Sequence, residues 1–257
     1  MRRRALLVAA LQLALASHVA AQRDDAKAFP GWPTAESAQA GMFLPYTIAP
    51  RTDSQRAFAL VLSGYDMPRK QAQLEGTADV TLFGPLAARV GVLYGQTSSR
   101  LRPSAGLRLQ ALSQASHGID MAVGAFYRPE GFTEAEGEVE VLASFARSFG
   151  HLGLFANLIY GQDPEGAERD GEVRLACAYA WSARFRGGID TRIRFDLGSA
   201  ASTRRTSGEA EYDFVVGPTA SYVLGDVALI AQAGLSGVGY HQPRFGPVAL
   251  AGLAGAL

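Results

Sequence analysis

The sequence predicts an all-β chain closed as an antiparallel, up-and-down, transmembrane β-barrel of about twelve strands, with roughly ten to fourteen as bounds. Three observations carry that reading. From residue 55 to residue 257, apolar and polar side chains alternate in successive stretches of about ten residues. Charged side chains keep to one face of nearly every stretch, and aromatic residues stand at the stretch ends. A strand tilted near 45° needs about eleven residues to cross a bilayer, whereas strands in soluble sheets are nearer five or six.

The N-terminal residues set the compartment. Arg2, Arg3 and Arg4 precede an apolar run containing Leu6, Leu7, Val8, Leu11 and Leu13, and Val19-Ala20-Ala21 supplies small residues. That pattern predicts a cleaved secretory signal peptide over 1–21, with a mature chain starting at Gln22. Residues 22–54 are rich in Pro, Ala, Asp and Gly without a sustained period, which predicts a low-order periplasmic segment that partly enters the barrel. Within it, 44–48 reads as a short strand. The barrel is expected over 55–257.

Composition excludes several classes. A mean hydropathy of +0.05 is too low for a bundle of membrane helices, and 48% apolar residues is too high for a disordered chain. The 24 basic and 24 acidic side chains balance, and the three signal arginines leave 21 basic residues after cleavage. No basic footprint for nucleic acid results. Lys27 and Lys70 are the only lysines, and Cys177 is the sole cysteine, so a disulfide within the chain is excluded.

The strands follow in order. Strand 57–65 is apolar on both faces and leaves its phase open. Strand 72–83 puts Leu74, Ala78, Val80 and Leu82 outward, against Glu75, Thr77 and Asp79. Gly84-Pro85 turns the chain into 86–96, with Val90, Val92 and Tyr94 outward and Arg89 opposite. Strand 104–114 shows Leu107 and Leu109 against Arg108 and Gln110, and 119–128 shows Met121, Val123 and Tyr127 outward. Strand 136–147 sets Val139, Val141 and Phe145 against Glu136, Glu138 and Glu140. Strand 151–161 turns Leu152, Leu154, Leu158 and Tyr160 outward, and 172–181 sets Leu175, Cys177, Tyr179 and Trp181 against Glu172 and Arg174. Strand 185–196 opposes Ile189, Ile193 and Phe195 to Arg186, Asp190, Arg192 and Arg194. Strand 209–223 opposes Tyr212, Phe214 and Tyr222 to Glu209, Glu211 and Asp213. Strand 227–238 carries Val227, Leu229 and Leu235 on one face, and 247–257 is rich in small residues and ambiguous in face.

The connections alternate in length. Those at 84–85, 115–118, 148–150, 182–184 and 224–226 are short; those at 66–71, 97–103, 129–135, 162–171, 197–208 and 239–246 are longer. Short periplasmic turns and longer outside loops are the habit of such barrels, so both termini are expected on the periplasmic side. Tyr65, Tyr94, Tyr127, Tyr160, Phe195 and Tyr212 would mark one rim, and Phe83, Phe145, Trp181, Phe185 and Tyr222 the other.

The interior is where function would lie. Arg108, Arg128, Glu136, Glu138, Glu140, Glu172, Arg174, Arg192, Arg194, Glu211 and Asp213 are expected to line the lumen. Counting from the turns places Glu172 near Arg194, Arg174 near Arg192, Arg192 near Asp213, Arg194 near Glu211 and Arg128 near Glu136. An internal ladder of ion pairs is preferred over a polarised open pore, because buried charge must be paired.

Catalysis finds little support. His117, His151 and His241 lack a serine two positions on, which excludes the His-x-Ser pair of an outer-membrane phospholipase. His241 with Asp163 or Asp170 is the only arrangement resembling the His/Asp set of an outer-membrane aspartyl protease. The acidic loop 162–171 lacks EF-hand spacing and reads as solvated surface. No cofactor, metal site or enzymatic activity is expected.

Over about 55–257 the chain resembles bacterial outer-membrane β-barrels. The phrases Tyr127-Arg-Pro-Glu-Gly-Phe-Thr-Glu134, Tyr160-Gly-Gln-Asp-Pro-Glu-Gly166 and Arg194-Phe-Asp-Leu197 carry that resemblance, which implies no particular activity. Such barrels usually end in an aromatic residue read by the barrel-assembly machinery, whereas this chain ends Ala-Gly-Ala-Leu257. The expected function is a structural or narrow passive-transport, porin-like barrel for small polar solutes in the outer membrane. The alternative is a non-conducting surface barrel whose loops 162–171 and 197–208 bind a partner, with a hydrolase third. Expected partners are outer-membrane lipid, the assembly machinery and a small polar solute.

Overall fold

The structure, a computed structural model, describes residues 44–50, 57–66, 68, 71–95, 100–129, 137–164, 169–198, 212–224, 227–239 and 243–256. Twelve strands form one closed antiparallel barrel in which each pairs with its sequence neighbours. They are β1 (Ala57–Asp66), β2 (Gln71–Phe83), β3 (Leu86–Gly95), β4 (Arg100–Leu112), β5 (Asp120–Pro129) and β6 (Gly137–Phe149), followed by β7 (Leu152–Gln162), β8 (Arg169–Ala180), β9 (Phe185–Asp196), β10 (Tyr212–Leu224), β11 (Val227–Gly239) and β12 (Arg244–Ala256). β1 closes onto β12, from Phe58 opposite Ala256 to Asp66 opposite Val248. Closure leaves no sheet edge, the condition for strands to sit in hydrocarbon. Among the described residues, no helix is long and apolar enough to cross a membrane.

The strands hold 10–13 residues each, enough for an apolar band about 25 Å tall at the usual tilt. Alternation then decides the two faces. Leu74, Val90, Leu107, Val123, Val141, Leu158, Leu175 and Ile189 are exposed on the outside, while Leu142, Ser144, Asn157, Asp190 and Ala228 are sealed within. Exposed apolar side chains around a whole barrel are the signature of a lipid-facing wall. Tyr65, Tyr94, Tyr127, Tyr160 and Tyr212 are exposed near the long-loop end, and Phe83, Trp181, Phe185 and Tyr222 near the short-turn end. Trp181 and Phe185 stack at 5.2 Å across one short turn.

Local chemistry sets the turns. Gly84 (φ 50°) and Gly150 (φ 58°) take left-handed backbone that a Cβ would strain, and they reverse the chain tightly. The connection after β4 contains a single helical turn, α1 (Gln114–His117), stopped by Gly118 in the left-handed region. β10 carries Pro218 in its interior, where the missing N–H interrupts the ladder to β11 between Val216–Leu235 and Thr219–Gln232. Gly217 and Gly234 face each other there. A Cβ on Gly217 would fall 2.3 Å from the Ala233 carbonyl oxygen, so the absent side chains let the strands close over the gap.

Two phases left open by the sequence are settled. In β1, Tyr65 points outward and Asp66 inward, where Ser236 donates to its carboxylate at 2.9 Å. In β12, Val248, Leu250 and Ala254 are buried and Phe245 is exposed. The strand expected at 44–48 is absent. Residues 44–50 form an irregular segment with bends, because their hydrogen-bond partners are lumenal side chains rather than a neighbouring strand.

Candidate functional site: the lumen and its resident segment

The lumen is graded along its axis on the β6–β9 side. Nearest the short turns Ala146, Phe155, Ala176 and Ala178 pack against Leu44, with the buried Arg186 of β9 beside them. One level further, Ser144 and Asn157 lie opposite each other, and Asp190 lies opposite Ala176. Beyond them come Arg174 opposite Arg192, then Glu172 opposite Arg194. The β11–β12 side is mostly apolar, with Ala228, Ile230, Val248, Leu250 and Ala254 inward.

The segment 44–50 occupies the space between these walls. Asp190 Oδ2 accepts the Tyr46 N–H at 2.7 Å and the Thr47 N–H at 3.4 Å, and Asp190 Oδ1 accepts the Thr47 hydroxyl at 2.7 Å. Asn157 Oδ1 accepts the Ile48 N–H at 2.7 Å while its Nδ2 donates to the Ile48 carbonyl at 2.8 Å. Arg174 donates to the Tyr46 carbonyl at 2.6 Å, and Arg108 to the Ala49 carbonyl. The Arg192 guanidinium lies 5.5 Å from the centre of the Tyr46 ring, within cation–π range. Asn157 and Asp190 are 0% exposed, covered by the segment they bind.

Many of the charges above and around the segment are paired. Arg108, 4% exposed, bridges Asp79 at 2.9 Å, with Arg89 at 3.7 Å from the same carboxylate. Arg192 bridges Asp213 at 2.5 Å; Arg174 pairs with Glu172, and Arg194 with Asp170. Arg128 lies 2.9 Å from Glu140 and 4.0 Å from Glu138. Pairing of this kind is what permits charge in a poorly solvated interior.

The expected Arg192–Asp213 pair is present, and several other expected pairings are corrected. Glu172 does lie opposite Arg194 in register, yet its carboxylate turns along its own strand to Arg174, and Arg194 turns to Asp170. Arg174 and Arg192 are cross-strand neighbours of like charge, and each is neutralised by a different carboxylate. Asp213 is opposite Arg194 in the backbone but bonds Arg192 diagonally. Strand twist brings diagonal neighbours within reach of long side chains, which a count of opposed residues ignores. Arg128 is opposite Glu138, two residues from the expected Glu136. Glu136 and Glu211 lie outside the described residues, as does His241.

Asp190 and Asn157 were not singled out as site residues from sequence. Their signal was present: Asn157 is the lone polar residue at an inward position between Phe155 and Ile159. His117 and His151 are exposed at the short-turn end, His117 hydrogen-bonding Ser116 at 2.8 Å and His151 packing 6.0 Å from the Tyr179 ring. Among the described residues, no group of His, Cys, Asp and Glu could hold a metal ion.

No protein-family model matches the sequence, and no curated protein matches it. Solved structures do match in fold. The NanC porin aligns with TM-score 0.59 and 10% identity over 77% of this chain and 100% of that chain. LpxR from Salmonella typhimurium aligns with TM-score 0.52 and 7% identity over 78% and 100%. The KdgM porin, in a complex with disordered oligogalacturonate, aligns with TM-score 0.52 and 8% identity over 78% and 99%. Identities this low speak to architecture alone. In fold, the chain is a closed antiparallel β-barrel of twelve strands, similar to the barrels of bacterial outer-membrane proteins.

Proposed function

We propose that this barrel resides in the outer membrane and is a narrow passive-transport protein for small polar solutes, closed at rest by its own residues 44–50. The observation that carries the reading is the occupied lumen. A segment of the chain is hydrogen-bonded across it at a level where the wall is polar, while the residues above are charged. A route for polar solutes needs such a wall, and a closed state needs such an occupant. The likeness in fold to two porins supports the transport reading. Insertion would use the barrel-assembly machinery. On this reading the chain is not an enzyme, and His117 and His151 serve the short-turn rim.

Planar-bilayer recording tests the proposal. The full-length chain is expected to give rare, small conductance steps. The Thr47→Pro/Ile48→Pro chain, which loses the Ile48 N–H that Asn157 accepts and the Thr47 N–H and hydroxyl that Asp190 accepts while keeping the Tyr46 N–H, is expected to conduct more often and more strongly. Silence from both, with folded barrels, would favour a non-conducting barrel whose long loops bind a partner.

A further inference from the structure

Four lumenal side chains on four different strands do one thing in common. Asn157 of β7, Arg174 of β8, Asp190 of β9 and Arg108 of β4 all hydrogen-bond main-chain groups of 44–50. Between them they satisfy three N–H groups, of Tyr46, Thr47 and Ile48, and three carbonyls, of Tyr46, Ile48 and Ala49. Asn157 reads both polar groups of one residue, as a strand partner would. Pro45 and Pro50 flank the recognised stretch and themselves carry no N–H.

An obstruction alone does not require this wall, since apolar side chains would fill the same space at lower desolvation cost. Instead a carboxylate and a carboxamide, both 0% exposed, are committed to groups that every peptide possesses. We propose that the lumen holds a binding site for the main chain of a short peptide. Residues 44–50 are its tethered resident, and a free peptide of the same proline-bounded form binds there once the resident is displaced. This rests on the closed-barrel reading only in requiring that the resident can leave. Covalent linkage gives the resident an effective concentration on the order of millimolar, so the unaltered chain conceals the site from peptides in solution.

The test uses the full-length chain folded in detergent, with folding checked by circular dichroism and by the migration of unheated samples. The probe is a fluorescent heptapeptide with the sequence of 44–50, and binding is read by anisotropy. The Thr47→Pro/Ile48→Pro chain is expected to bind it saturably, at least about tenfold more tightly than the unaltered chain. Adding Asn157→Leu is expected to weaken that binding about tenfold or more, because two hydrogen bonds to one residue are lost. A heptapeptide with alanine at the Tyr46 and Ile48 positions should still bind, whereas one with proline at the Ile48 position should not. If the doubly substituted chain fails to fold, Ile48→Pro alone carries the same comparison. Equal binding by released and unaltered chains, or indifference to Asn157→Leu, overturns the proposal. Conductance recorded in parallel separates the two ideas: peptide binding without conductance removes transport and keeps the site, and conductance without peptide binding does the reverse.

Discussion

Asn157 meets Ile48 with both ends of its carboxamide, accepting the Ile48 N–H at 2.7 Å and donating to the Ile48 carbonyl at 2.8 Å. The residues lie 109 positions apart, and the contact ties β7 to the segment that precedes β1. Asn157→Leu leaves both main-chain groups without that partner, each worth about 1–3 kcal/mol where water cannot reach. The expected result is a lowered unfolding midpoint in full-length chain. Ser144→Ala, at the register partner of Asn157, loses only a 3.4 Å contact to the Ala122 carbonyl and should change stability by less than about 0.5 kcal/mol. Equal effects of the two substitutions would mean that the segment is not held by Asn157.

Arg108 joins two systems, the Asp79 carboxylate and the Ala49 carbonyl. Arg108→Met removes both and leaves Asp79 only the more distant Arg89. Loss of one partner of a buried pair costs about 3–5 kcal/mol. Restoring neutrality with Asp79→Asn in the same chain should recover part of it, read by equilibrium unfolding in lipid vesicles.

Exposure predicts different coupling for two ion pairs of the same strand. Arg192 and Asp213 have side chains 18% and 8% exposed, whereas Arg194, paired with Asp170, is 45% exposed. A double-mutant cycle on Arg192–Asp213 should give clear coupling, above about 1 kcal/mol. The Arg194–Asp170 cycle should give less, and what it gives should fade in high salt. Additivity at Arg192–Asp213 would mean a water-filled lumen at that level.

The outer wall makes a simpler prediction. Val141 and Leu175 are 52% and 50% exposed in the apolar band, and arginine at either should cost about 2–4 kcal/mol of stability in vesicles. Leu142, 1% exposed and inward, should also reject arginine. Its penalty comes from packing in the lumen, so it should persist in detergent micelles of any chain length, whereas the penalty at Val141 should vary with hydrocarbon thickness.

Local alternation is enough to specify the barrel. A period of two fixes which residues share a face, and lipid on one side makes any slip of one residue costly, so outward sets follow from local pattern. Strand ends, in contrast, move by a few residues, β4 starting at Arg100 and β8 at Arg169. β9 begins and ends as the alternation of Phe185–Asp196 requires, and Gly84-Pro85 turns β2 into β3 as its chemistry dictates. Where the pattern weakens, in β1 and β12, phase came from closure of the two strands on each other and on their neighbours.

Tertiary structure alone decided what fills the lumen and which charges meet there. Cross-strand counting places Glu172 beside Arg194, but barrel twist and the reach of long side chains send each to another partner. Residues 44–50 have no period of their own, because the wall, not a neighbouring strand, supplies their hydrogen-bond partners. Those partners come from the adjacent strands β7, β8 and β9 and from β4, which reaches the same segment only when the sheet curls closed. Local sequence encodes which face a side chain takes; the curvature of the closed sheet decides what it meets across the interior.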